Sequence, residues 1–406
     1  MPSSSPFASH WTLDQGVDFL NHGCYGACPR EVLETQADLR AEMERQPIAF
    51  LSRKLPSLFD AARAALGAFL GADPEGLVAV PNATSGVSTV VRSIAPGLSP
   101  GDELLATDHS YNACRNALDF VAAQTGARLV VTKVPFPLAD PAEVVEAVLA
   151  KVTPRTRVAL VDHVASPTGL VHPVEAIVRG LAERGVDTLI DGAHAPGQLA
   201  LDLGRLGAAW YTGNCHKWLC APKGAAFLWT REDRRDALRP LVVSHGYNTP
   251  RPGRSRLHDE FDWQGTGDPT AFLSVPRAIE VMGAMVPGGW PEVRERNHAL
   301  VLLGRTIVAE ALGVAPPCPA SMVGSLATLP LPFAASEPGV PAMASDVLQQ
   351  ELLDRYAIEV PIFSWPAPID RLVRLSAQLH NERSQYERLG VALRELLQPA
   401  ATPAST

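Results

Sequence analysis

Between about residue 29 and about residue 230 the chain alternates helix-type periodicity with seven short apolar runs, an order that few architectures can accept. The runs are LVAV (77–80), ELLAT (103–107), RLVVTKV (128–134), RVALVDH (157–163), DTLID (187–191), AAWYT (208–212) and AAFLW (225–229). Most lack polar alternation, which is the pattern of strands buried on both faces. Strands separated by helices build a mostly parallel sheet covered on both sides, so the expected class is α/β. PREVLETQADLRAEME opens with Pro29 at an expected first helical position, and LFDAARAALGAFLGA has helical spacing ended by Gly71. The segment 244–268, SHGYNTPRPGRSRLHDEFDWQGTGD, is rich in Gly, Pro and Arg and is expected to be irregular. Helical patterns near 270–312 follow, then a proline-rich stretch, a helix over about 381–397 and a loose tail, PAATPAST. With 406 residues the chain exceeds one ordinary domain, so a second, smaller domain is expected.

In open parallel sheets ligands bind beyond the carboxyl ends of the strands. The formal charge of -8 argues against nucleic acid or an anionic membrane as the ligand, since both need a basic surface. No apolar stretch approaches the roughly 18 residues of a membrane span, and MPSSSPFASHWTLDQ lacks the basic flank and apolar core of a signal peptide. A cytoplasmic protein with a small polar substrate is expected. The six cysteines (Cys24, Cys28, Cys114, Cys215, Cys220, Cys318) are scattered, which fits reduced thiols better than a disulfide framework.

Three groups fall at strand ends. PNATSGVSTVV follows LVAV, so Thr84, Ser85 and Gly86 sit where a helix begins; free N–H groups and hydroxyls there suit a phosphate, or serve as an ordinary cap. Asp191 closes DTLID, either as a cap or as the partner of a buried cation. Lys217, in TGNCHKWLCAPKG, precedes the last apolar run; a lysine there either extends its head to water or, desolvated, becomes a nucleophilic amine. A phosphate cradle, a strand-end carboxylate and a desolvated lysine are together what pyridoxal phosphate needs: donors for its phosphate, an anion for its ring nitrogen, an amine for its aldehyde. His194 and His216 with Cys215 and Cys220 match no structural zinc spacing, so no metal is expected.

FLNHGCYGACPREV, PNATSGVST, DGAHAPGQ, YTGNCHKWLCAPKG, FDWQGTGDPTAFLSVP and VRLSAQLHN, spread over positions 19–381, resemble the motifs of class V aminotransferases among fold-type I pyridoxal-phosphate enzymes, most of all the isopenicillin N epimerase-like subgroup. The resemblance implies a fold-type I transferase with a large domain (26–285) around a mostly parallel seven-stranded sheet. It also implies a smaller C-terminal α+β domain (286–406), an N-terminal arm (1–25) packing with it, and a homodimer. It implies Lys217 as the cofactor-bearing lysine, Asp191 on the ring nitrogen and His194 near the phenolic oxygen. Thr84, Ser85 and His216 would hold the phosphate, with Thr266 reaching it from the other subunit. Tyr111 would stack on the ring, with His109 as fallback; Arg374 would clamp the substrate's carboxylate, with Asn21 beside it.

The motifs do not separate reactions that share a first step at the α carbon. Epimerisation is favoured by the resemblance; carbon–sulfur lysis or transamination are the alternatives. Desulfurase chemistry is disfavoured because PIFSWPAP (361–368) offers Ser364 and Trp365 but no cysteine, leaving Cys318 as the C-terminal thiol. Arg251, Arg254 and Arg256 either recognise a distal carboxylate across a dimer interface or are solvated loop charges.

Overall fold

The computed structural model describes residues 5–332, 346–366 and 371–397; the tail PAATPAST lies outside the described residues. The seven apolar runs form one sheet: β1 (Leu77–Val80), β2 (Glu103–Thr107), β3 (Arg128–Thr132), β4 (Thr156–Asp162), β5 (Asp187–Asp191), β6 (Trp210–Asn214) and β7 (Ala226–Thr230). Their order is β1-β7-β6-β5-β4-β2-β3. β7 is antiparallel to both β1 and β6, and the other neighbours are parallel. A parallel return needs a crossover of about a dozen residues or more, usually helical. The segment 215–225 contains no helix, so β7 runs back beside β6. That tight return carries Lys217 and leaves it just past the end of β6.

The sheet separates two cores. Leu105, Ala159, Val161, Ile190 and Tyr211 face one, while Leu104, Ala106, Val158, Leu160, Leu189 and Trp210 face the other. Both sets belong to the same strands, because successive side chains point to opposite faces. Each fully buried Leu, Ile or Val is worth about 1.5–3 kcal/mol over exposure, so register is held from both sides. The parallel register aligns Asp162 with Asp191 and Asp191 with Thr212 at the carboxyl ends.

Two expectations are corrected. Pro29 is the residue before the helix Arg30–Arg45, with an extended ψ of 150°, and not its first helical residue. The segment 244–268 contains the helix Arg256–Phe261, capped by Ser255, whose hydroxyl accepts from the His258 N–H. Leu257 and Phe261 supply the reason, since both are buried in the second core.

Toward the C-terminus, β8 (Leu326–Pro330), β9 (Ile362–Ser364) and β10 (Arg371–Ser376) form an antiparallel sheet in the order β9-β10-β8. The helices Gly289–Leu312 and Arg383–Leu397 close a separate core on it, containing Val301, Val308, Leu329, Val373 and Leu389. Leu20 joins this core from the N-terminal segment. Asp18–Phe19 pairs in parallel with Ile358–Glu359, and Arg388 Nε donates to Asp18 at 2.6 Å. Among the described residues no helix is long and apolar enough to cross a membrane.

Candidate active site

A cavity of about 410 Å³ opens at the carboxyl ends of the central strands; its lining includes Thr84, Tyr111, Asp191, His194, His216 and Lys217. Thr84 reaches it from the helix Ala83–Ile94, which Asn82 caps by accepting from Ser85 N–H at 2.9 Å. Asn214, closing β6, accepts from Ala83 N–H at 2.8 Å and so fixes this helix start against the lysine strand. The close approach demands a glycine: a Cβ on Gly86 would lie 2.1 Å from Thr212 Oγ1. Ser85, grouped with Thr84 in the sequence, is outside the lining, with its N–H turned to the cap.

Asp191 is buried and oriented by two donors, Ala193 N–H at 3.0 Å and Cys114 S–H at 3.1 Å. Asp162, its neighbour across the β4–β5 register, is buried too, and its Oδ2 has no partner among the described residues. Burial pushes both carboxyl groups up, and the proximity of Asp191 raises Asp162 further. Two buried carboxylates side by side are unfavourable when both are charged, and a cation between them relieves this. A protonated ring nitrogen is such a cation, so this pair fits pyridoxal phosphate.

Lys217 is wedged from several directions. The segment around it is closed by Cys215 N–H to Ala225 O and Ala221 N–H to Cys215 O, both 3.0 Å, while Cys220 sits in the left-handed region with φ 62°. His22 from the N-terminal segment contacts the Lys217 carbonyl at 3.1 Å. Gly26 lies directly on this loop; its φ is 70°, and a Cβ there would stand 2.1 Å from the His216 carbonyl oxygen. Both facts exclude other residues. Lys217 Nζ is 3.1 Å from His194 Nε2, and Trp218 Nε1–H points at His194 Nδ1 at 3.4 Å. The tautomer that satisfies the indole carries its proton on Nε2, which then donates to a neutral Lys217 amine. Burial and the Arg374 charge push Lys217 down to about 8, in the same sense.

Tyr111 lines the cavity from the start of the helix Asn112–Thr125 and is 47% exposed. His109 is instead buried against Trp365, with ring centroids 4.4 Å apart, and its Nδ1 pairs with Thr168 Oγ1 at 3.1 Å. Arg374, on β10, is almost wholly buried. Its Nη1 donates to the Ser166 carbonyl and, at 3.3 Å, to the Ser166 hydroxyl, while Nη2 lies 3.2 Å from Cys24 Sγ. Arg374 itself is outside the lining, whereas Ser166 and Cys24, which it contacts, both line the cavity. Asn21 does not; its Nδ2 donates to Glu359 at 3.0 Å. Thr266 is exposed on the loop before Asp268 and is also outside this chain's lining.

The loop arginines are paired within the chain: Arg251 with Asp259 at 2.7 Å, Arg254 with Asp60 at 3.0 Å and with Asp262, and Arg256 with Glu260 at 2.9 Å. Their charges are already matched within the chain. Cys318 stands apart from the cavity, its Sγ 3.8 Å from Arg305 Nη1, and burial pushes its thiol up. Sequence reasoning missed Asp162, Ser166 and Cys24. Asp162 carried a readable signal, since it ends an apolar strand just as Asp191 does.

The pattern of the family Aminotransferase class-V matches residues 28–287. The chain is 37% identical over 397 residues to isopenicillin N epimerase of Amycolatopsis lactamdurans, covering 95% of this chain and 96% of that protein. It is 28% identical over 430 residues to L-cysteine desulfhydrase of Arabidopsis thaliana, covering 98% and 91%. In fold it is similar to the apo cysteine desulfurase of Thermococcus onnurineus NA1, with a TM-score of 0.79 at 18% identity over 97% of this chain and 98% of that one. A chain matched by the family pattern over most of its length, with an epimerase relative spanning nearly all of it, belongs to the class-V aminotransferase family of pyridoxal-phosphate enzymes.

Proposed function

We propose that this enzyme acts at the α carbon of an amino acid or amino-acid derivative and inverts its configuration. One observation carries the substrate class. Arg374 is a buried guanidinium that pairs with no carboxylate among the described residues, yet its charge is felt at Lys217. A buried cation without a counter-ion is costly, and a guanidinium fork matches a carboxylate. An α-amino acid offers that carboxylate together with an amine for the cofactor beside Lys217.

Pyridoxal phosphate, when bound, supplies the electron sink for the α carbon. In this reading Lys217 would hold the cofactor through its amine, and its Nζ, when free, would move the α proton of the substrate. The His194 N–H, 3.1 Å away, aims the neutral amine. Asp191, oriented by Ala193 and Cys114, would hold the ring nitrogen, and Thr84 with His216 would hold the phosphate. Tyr111 would stack on the ring; burial and nearby acidic groups push its phenol up, so it stays protonated and would be able to return a proton to the substrate. The greater identity to a relative named an epimerase than to one named a desulfhydrase favours inversion over carbon–sulfur cleavage.

Incubation with candidate amino acids in heavy water, read by mass and chirality together, tests the reaction. The expected result is deuterium at the α carbon in both configurations. Pyruvate and ammonia from a cysteine derivative, with no inverted product from any substrate, would replace epimerisation by lysis.

The same reading includes a homodimer in which Thr266 completes the neighbouring phosphate site. Leu241, Val242, Val243 and Tyr247 form an exposed apolar stretch near that loop in sequence, 44% to 65% exposed, as an interface would require. Light scattering of the cofactor-loaded protein is expected to give twice the 43.3 kDa chain mass. An active, loaded monomer would contradict it.

A further inference from the structure

Of the six cysteines, Cys28, Cys114, Cys215 and Cys220 are buried, whereas Cys24 and Cys318 are partly exposed. Cys24 alone among these lines the cavity. It arrives on the short helix His22–Tyr25, held in place by Gly23 N–H donating to Ser376 Oγ at 3.1 Å and by the His22 contact with Lys217. A guanidinium has donors only, so at 3.2 Å the Cys24 sulfur accepts from Arg374 Nη2. Arg374 also donates to the carbonyl and hydroxyl of Ser166 and lies over the Phe363 ring, 4.7 Å from Cζ, while Nε has no partner among the described residues. The sulfur therefore occupies one of the guanidinium positions that an anionic ligand would take, and it borders the space such a ligand would fill.

We propose that Cys24 and Arg374 form a covalent capture site for small carboxylates bearing an electrophilic carbon next to the carboxylate. This rests on the reading of Arg374 as the carboxylate clamp. Arg374 holds the carboxylate, and the neighbouring carbon is thereby presented to the Cys24 sulfur. With a 2-haloacetate a sulfur–carbon bond forms as the carbon–halogen bond breaks, the halide leaves with the bonding pair, and the thiol proton passes to solvent. No oxidant or reductant takes part. The product places a carboxymethyl group on Cys24, whose own carboxylate stays on Arg374 and closes the subsite to amino acids.

The test treats the cofactor-loaded protein with iodoacetate and, separately, iodoacetamide, and maps the modified cysteines by peptide mass. Cys318, whose sulfur also lies beside a guanidinium, 3.8 Å from Arg305 Nη1, but outside the cavity, serves as the internal reference for a thiol next to a cation without a carboxylate subsite. The expected result is an iodoacetate-to-iodoacetamide rate ratio at Cys24 on the order of tenfold above that at Cys318, reflecting one charge-assisted contact. Added acetate should slow Cys24 and leave Cys318 unchanged, and this comparison needs no variant. The carboxymethylated protein should keep its cofactor absorbance and lose its spectral response to amino acids. Equal ratios at the two cysteines, or no label on Cys24, overturn the proposal. Amino-acid titration of Arg374→Lys separates the two readings. Lost binding in that variant with no reagent preference at Cys24 leaves the clamp standing and removes the capture site. Wild-type binding in it removes the clamp, and the capture site with it.

Discussion

Lys217→Ala is expected to lower kcat by about 10⁴-fold or more, because on the proposed reading one side chain serves both as covalent anchor and as the acid–base at the α carbon. Alanine keeps the backbone contacts of the loop, including Cys220 N–H to the Lys217 carbonyl at 3.1 Å, so the fold should persist. Added amines should restore part of the proton transfer and none of the anchoring. The pH dependence follows from the site itself. Burial and Arg374 hold Lys217 down at about 8, so the neutral, nucleophilic fraction increases as pH rises toward that value. Cofactor uptake by the free protein should therefore climb about tenfold per pH unit below about 8 and level off above it. Uptake rates measured from pH 6 to 10 check this, and a flat profile would show that the amine is not the titrating group.

Asp191→Asn should retain the cofactor and lose about 10²- to 10³-fold in kcat. The amide oxygen can still accept from Ala193 N–H, and the amide NH2 then meets the Cys114 sulfur, which can accept in place of donating, so the geometry survives while the charge that on the proposed reading keeps the ring nitrogen protonated is gone. The free protein gains in one respect. Removing one of two adjacent buried carboxyl groups relieves the repulsion with Asp162, so the melting temperature of the cofactor-free variant should not fall. Activity within a few-fold of the parent enzyme would take Asp191 out of this role. A large drop in melting temperature would instead make its carboxylate structural.

What the sequence made legible was the part governed by local rules. Short apolar runs, most of them without alternation, marked every strand of the main sheet, and Asp191 and Lys217 were visible because strand ends are where open sheets bind ligands. β7 was legible as a strand, while its reversed direction follows from the short segment 215–225. The helix Arg256–Phe261 was masked by surrounding Gly, Pro and Arg, although burial of Leu257 and Phe261 decides it. The site's other residues depend on long-range contact. Cys24 meets Arg374 because the N-terminal segment is threaded between the lysine loop and β10, past Gly26. His109 and Tyr111, two residues apart, point to different places because one is packed under Trp365 and the other begins a helix. Nothing in local periodicity distinguishes them. The pairing of Arg254 was equally hidden, since Asp60 comes from a distant helix, whereas Arg256 and Glu260 stand four residues apart on one helix.

The central claim is that Lys217 is the amine which holds the cofactor, and chemical trapping tests it most directly. The cofactor-loaded protein is reduced with borohydride, digested, and searched for peptides carrying the reduced cofactor mass. A single labelled peptide with the modification on Lys217, absent from Lys217→Ala, is the predicted result; a label on any other lysine, or a loaded protein that yields none, would contradict it.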